Sequence, residues 1–298
     1  MQVNKFKGLG VAMVTPFSDN GDIDFPALEK LTEFLIKGGV DYLVVQGTTG
    51  ESPVLSQNEK QQVLDTVCKV NNARTPVVFG IGGNNTANVV SDLLSYDLTK
   101  VDGVLSASPY YNKPTQEGIY THYASICGAT SLPIIIYNVP GRTASNISAA
   151  TTLRLANDFS NAIAVKEASG SMEQIMEIIQ NKPDDFLVIS GDDAITLPIL
   201  ACGGDGVISV VGNAFPSQFS KMVKATMADD MNKAREYHYA VLPIIAQLFK
   251  EGNPGGIKEA LVELGITENH LRLPLVNVSE ELASSIKTET RNIYKRFP

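Results

Sequence analysis

Cysteine and histidine are scarce in this chain of 298 residues, with three of each. Cys68, Cys127 and Cys202 are far apart and odd in number, with no CxxC or Cys/His spacing. That excludes a disulfide framework and a zinc site, and all three read as small apolar fillers. His122, His238 and His270 form no HxH or HExxH pair, so no histidine-based metal centre is expected. Positive charge is also short: 24 Lys+Arg against 32 Asp+Glu leave a formal net charge of −8. A nucleic-acid surface needs a basic field, so that class of partner is excluded. No run of roughly 18 apolar residues occurs, so no membrane span is expected. Met1–Lys7 has no apolar signal core behind its lysines, and the expected location is cytoplasmic. Glycine and proline, 24 and 15 residues, are at ordinary globular levels, which excludes a collagen-like or low-complexity chain.

Short runs rich in Val, Ile and Leu recur at even intervals. They are Leu9–Val14, Tyr42–Val45, Val77–Ile81, Gly103–Ala107, Pro133–Tyr137, Ala162–Val165, Phe186–Ile189 and Gly206–Val210. None alternates with polar residues, as expected of strands buried on both faces of a parallel sheet. The intervals are long enough for helices and carry start signals. Asp24 is placed to cap a helix with Pro26 in its first turn, and Ser56–Glu59 has the capping-box pattern. Eight strands alternating with helices predict an α/β fold, a (β/α)8 TIM barrel. A doubly wound sheet is the rival, but its glycine fingerprint is missing: Gly80-Ile81-Gly82-Gly83 lacks the third glycine at the required offset. From Pro216 the strand signal stops. Ser217–Ala228, Met231–Phe249, Pro254–Leu264 and Ser279–Phe297 read as helices, punctuated by Asn253-Pro254 and Leu273-Pro274. The expected division is a barrel over residues 1–229 carrying the active site and a C-terminal helical domain over 230–298.

Barrel active sites lie on the loops after the strands. Those loops contain Thr15-Pro16, Gly47–Glu51, Gly82-Gly83-Asn84, Ser108–Asn112, Tyr137–Pro140, Lys166-Glu167, Ser190–Asp193 and Ser209. Hydroxyls, phenols, glycines and one amine thus converge on one rim. Gly203-Gly204-Asp205-Gly206 precedes the last strand and belongs to the opposite face, as a tight turn. Lys166 is the most informative residue, because it ends an apolar run where a long charged side chain has no packing role. An amine held in a barrel mouth is partly desolvated, which favours its neutral, nucleophilic form. Such a lysine can condense with a carbonyl to a Schiff base and serve carbon–carbon bond chemistry; the alternative is a structural lysine that snorkels to solvent. Tyr137, at the previous strand end, is placed to move protons, or is a core aromatic with a satisfied hydroxyl. Thr48 can relay protons without ionising. Thr48 and Thr49 sit in a glycine-flanked turn whose N–H groups suit a carboxylate, or are plain turn residues. Arg142 suits a second carboxylate, or is a solvated arginine.

At these residues the chain resembles the dihydrodipicolinate synthase branch of the family of pyruvate-dependent class I aldolases that also contains the N-acetylneuraminate lyases. The resemblance is carried by Gly47–Ser52, Pro109–Asn112, Tyr137–Thr143, Val165–Ala168, Ser190–Asp193 and Gly206–Val210 and covers essentially the whole chain. It implies that Lys166 forms an imine with pyruvate, while Tyr137, Thr48 and Tyr111 form a proton relay. Tyr111 would enter the site of a neighbouring copy, in a homo-oligomer expected to be a tetramer built from tight dimers. Thr48 and Thr49 would hold the pyruvate carboxylate, and Arg142 would receive L-aspartate 4-semialdehyde. Gly191 and Ile208 would line the surroundings of the lysine. No metal or nicotinamide cofactor is implied.

The lyase branch, with Ser at one of the two threonine positions and no arginine after its Tyr-Asn-x-Pro motif, is the alternative, together with keto-sugar-acid aldolases. Thr48, Thr49 and Arg142 favour the synthase. Ser52, Asn84 and Tyr110 match parts of the family's lysine-feedback pocket. Positions that carry His, His and Glu in lysine-sensitive members are here Gln57, Lys60 and Asn88, which implies weak or absent inhibition by L-lysine.

Overall fold

The computed structural model describes residues 3–297. Eight parallel strands close into a barrel: β1 (Gly8–Ala12), β2 (Tyr42–Val45), β3 (Val77–Gly80), β4 (Gly103–Ala107), β5 (Ile134–Asn138), β6 (Ala162–Glu167), β7 (Leu187–Ser190) and β8 (Gly206–Ser209). Each pairs with the next, and β8 returns to β1 through Leu9↔Val207 and Gly10↔Ile208. The expected (β/α)8 barrel is the one observed, with strand limits within two residues of those read from the apolar runs.

The strand sequences look alike because both faces are covered. One set of side chains, including Val44, Val78, Leu105, Ile135, Leu187 and Ile208, fills the barrel interior. The other set, including Val11, Leu43, Val104, Ile136 and Val165, packs under the helices. Each such burial is worth about 1.5–3 kcal/mol against exposure, so an uninterrupted Val/Ile/Leu strand specifies this architecture. Tyr42 is fully buried inside, edge-on to Phe6 at 5.8 Å between ring centroids. A Cβ on Gly10 would sit 2.2 Å from the Tyr42 ring, so this strand position tolerates only glycine.

The two ends of the barrel differ in chemistry. At the strand starts, carboxylates accept backbone N–H groups. Asp41 bonds to Leu9, Asp102 to Val77 and Asp205 to Val188, at 2.8–3.0 Å. These ties hold the face that in such barrels serves stability. The turn Gly203–Asp205 lies here, with Gly203 at φ 101°, as expected for a tight connection. Helix starts also follow the sequence signals. Asp24 accepts from Ala27 N ahead of the helix Phe25–Lys37, and Ser56 and Glu59 form a reciprocal capping box at Gln57–Asn71. Caps of this kind contribute about 1 kcal/mol each.

After the helix Pro216–Met227 come the helices Met231–Phe249, Gly255–Glu263 and Glu280–Arg296, each within one residue of expectation. Their apolar side chains, such as Val241, Leu248, Ile257, Leu261 and Ile286, join the cluster under the barrel helices. Tyr294 Oη donates to Ala214 O at 2.7 Å and Gln218 Nε2 to Phe297 O at 2.9 Å, fastening the last helix to the barrel. One expectation is corrected. Cys68 and Cys127 are buried, and burial pushes their thiols up to about 11 and about 12. Cys202 is exposed, because it follows the short helix Thr196–Ala201 where the chain turns outward at Gly203.

Candidate active site

Tyr137 and Lys166 are direct partners across β5 and β6. Neighbouring strand residues point to opposite faces. Val165 packs outward under the helices, and Lys166 therefore points into the barrel beside Tyr137. Lys166 is 5% exposed, with Nζ 4.1 Å from the Tyr137 ring centroid. It has no ion-pair partner among the described residues. Its surroundings are shaped to receive it. A Cβ on Gly191, just after β7, would lie 3.2 Å from Lys166 Cε and 2.7 Å from Ala168 Cβ. Ile208 is fully buried on β8, in the same interior cluster as Tyr137.

A cavity of about 530 Å³ opens at the C-terminal rim and is lined by Thr48, Tyr110, Tyr137, Arg142 and Thr143 among others. That volume suits small metabolites. Thr48 and Thr49 stand in a single helical turn, Thr48–Gly50, directly after β2. Thr48 faces the cavity, whereas Thr49 is buried and its Oγ1 accepts from Asn253 Nδ2 at 3.0 Å. Arg142 reaches the cavity from the short helix Pro140–Thr143 after β5. Tyr111 does not join the cavity within one chain: it is 82% exposed, with φ at 75°. A second hollow of about 750 Å³ lies at the opposite end, around Cys68, Arg74, Lys100 and Asp102. It adjoins the strand starts, where these barrels do not place chemistry.

Several residues of the site carried no assignment in the sequence. Glu51 follows the threonine turn in the left-handed conformation (φ 56°) and is fully buried against Lys258, at 2.6 Å. Lys258 Nζ also donates to His270 O at 2.7 Å. Burial lowers its pKa, and the Glu51 carboxylate opposes that shift. Arg272 donates its backbone N–H to Glu51 and its guanidinium to Glu59, holding that carboxyl down to about 2. Asn253, readable only as punctuation before a helix, thus contacts Thr49, while Pro274 and Leu275 line the cavity. Across the barrel, Asp193 Oδ2 accepts from Val210 N and Val211 N, both at 2.9 Å, and shapes the turn after β8. Burial pushes Asp193 up to about 6.

Residues 5–292 match the family model described as the dihydrodipicolinate synthetase family. A 4-hydroxy-tetrahydrodipicolinate synthase from Flavobacterium psychrophilum is 51% identical over 290 residues, 97% of this chain and 99% of that one. The chain belongs to the dihydrodipicolinate synthetase family. Solved structures agree with this membership along the whole length. The dihydrodipicolinate synthase of Aquifex aeolicus superposes with a TM-score of 0.92 at 39% identity, covering 98% of both chains. That of Acinetobacter baumannii, a chloride-inhibited enzyme complexed with pyruvate, superposes at 0.94 with 36% identity, covering 97% of this chain and 99% of that one. No described helix is long and apolar enough to cross a membrane.

Proposed function

We propose that this chain acts as a 4-hydroxy-tetrahydrodipicolinate synthase, condensing pyruvate with L-aspartate 4-semialdehyde in the cytoplasm, for lysine and diaminopimelate synthesis. The observation that carries the reading is a lysine buried inside the barrel against the ring of Tyr137, a phenol that lines a cavity together with Thr48 and Arg142. The Lys166 amine attacks the pyruvate carbonyl carbon, and loss of water with uptake of one proton gives a cationic imine. Loss of a methyl proton gives the enamine, whose carbon attacks the aldehyde, and the new oxyanion takes a proton. The amine of the added substrate then attacks the imine carbon, closing the ring and expelling Lys166.

Within that sequence Tyr137 gives and accepts the protons at the imine, with Thr48 relaying them. The Thr48–Gly50 turn presents backbone N–H groups to the pyruvate carboxylate, with Thr49 fixed from behind by Asn253. Arg142 binds the carboxylate of the semialdehyde, for which a planar guanidinium is well suited. Tyr111 completes the relay from a neighbouring copy in a tetramer of tight dimers. Its large exposure on the single chain supports that role. The test is turnover with L-aspartate 4-semialdehyde against N-acetylmannosamine, each with pyruvate. Preference for the semialdehyde, lost in Lys166→Ala, is expected. Preference for the amino sugar would instead favour a lyase of the N-acetylneuraminate type.

A further inference from the structure

The pairing of β5 with β6 is irregular. Ile134 pairs with Ala162 and Ile135 with Ala164, so Ile163 is an extra residue on β6. Beyond this bulge the ladder resumes through Ile136↔Val165, Tyr137↔Lys166 and Asn138↔Glu167. A slip of one residue would turn Lys166 away from the interior and toward the helices. The register that faces Lys166 to Tyr137 therefore needs a lock beyond the bulge.

Such a lock occupies the next rung. Asn138 and Glu167 are both fully buried. Asn138 Nδ2 lies 3.1 and 3.0 Å from the two Glu167 carboxylate oxygens and 2.8 Å from Asn146 Oδ1, while Asn138 Oδ1 accepts from Ile147 N at 3.0 Å. The Glu167 oxygens accept in addition from Ser169 N at 2.8 Å and Gln174 Nε2 at 3.0 Å. Every donor is neutral, and no ion pair to Glu167 occurs among the described residues. Burying a carboxylate without a cation is a poor route to stability, but a full set of directional bonds is a good route to one unique geometry. We infer that Glu167, acting through Asn138, is a positioning residue for imine formation: it locks the ends of β5 and β6 in the register that sets the Lys166 amine beside Tyr137. The inference rests on the proposed role of Lys166.

The experiment measures the rate at which borohydride traps pyruvate on the full chain, with kcat and KM for both substrates. The variants are Glu167→Gln, Asn138→Asp and the two combined. Glu167→Gln places an NH2 group against the Asn138 NH2, and Asn138→Asp sets two carboxylates together. Each single change should slow trapping by about 10²-fold, the usual cost of a misplacement near 1 Å, with KM for the semialdehyde unchanged. The double variant reverses donor and acceptor and should recover most of that loss. Wild-type trapping rates in the single variants would overturn the inference, as would a double variant no faster than the slower single. A smaller trapped fraction at unchanged rate, which reports fewer folded molecules, would overturn it too. Should Glu167→Gln fail to fold, Glu167→Asp keeps the charge but withdraws it by one methylene, and must also trap slowly. Absence of any adduct on Lys166 in the unaltered protein would instead remove the functional reading itself.

Discussion

Replacing Lys258 by Met strands the Glu51 carboxylate in the protein interior. Both side chains are fully buried at 2.6 Å, and among the described residues the cation has one other acceptor, His270 O. Removing one partner of such a pair costs about 3–5 kcal/mol, because the remaining charge has lost both water and counter-charge. Unfolding entropy near 2.1 cal/mol/K per residue, over 298 residues, converts this to a fall in Tm of about 5–8 °C. The loss should be smaller in the double variant Lys258→Met with Glu51→Leu, since an apolar pair carries no stranded charge. Calorimetry and urea titration of the native, single-variant and double-variant forms measure both losses. Glu51 directly follows the Thr48–Gly50 turn, so the single variant should also raise KM for pyruvate more than it lowers kcat. A stability loss below about 1 kcal/mol, or a double variant as unstable as the single, would refute the reasoning.

Three further outcomes follow from the same structure. Tyr137→Phe removes the phenol beside Lys166 and should still permit slow imine formation, while turnover in steady-state assay falls by roughly 10²–10⁴-fold. Asp193 is raised to about 6 by burial, so its folded state disfavours the carboxylate, and stability is lost as pH rises from about 4 through about 6. Asp193→Asn keeps an oxygen for the Val210 and Val211 amides. Urea midpoints should show it gaining on the native form above pH about 6 and not below about 4. L-lysine should inhibit weakly or not at all, because Lys60 lines the same cavity as Ser52 and Tyr110 and its ammonium opposes a cationic effector; potent, saturable inhibition in steady-state assay would contradict this.

The barrel was legible because both faces of every strand are buried, so the apolar runs in the sequence trace the strands directly. Lys166 stood out for the same reason, as a charged residue closing one of those runs. What escaped is contact between distant segments. Nothing local in Asn253, Lys258 or Arg272 says that they lock the turn holding Thr49 and Glu51, more than two hundred residues earlier. The Ile163 bulge was equally hidden, since an extra residue in an apolar run leaves no mark in composition. Cys202 was misread because a small apolar residue after an apolar helix looks buried until the turn at Gly203 carries it outward.

The most direct measurement of the central claim is borohydride reduction in the presence of pyruvate, followed by peptide mass mapping. A single adduct on Lys166, absent from Lys166→Ala, is the predicted result. An adduct on any other lysine, or none, would contradict it.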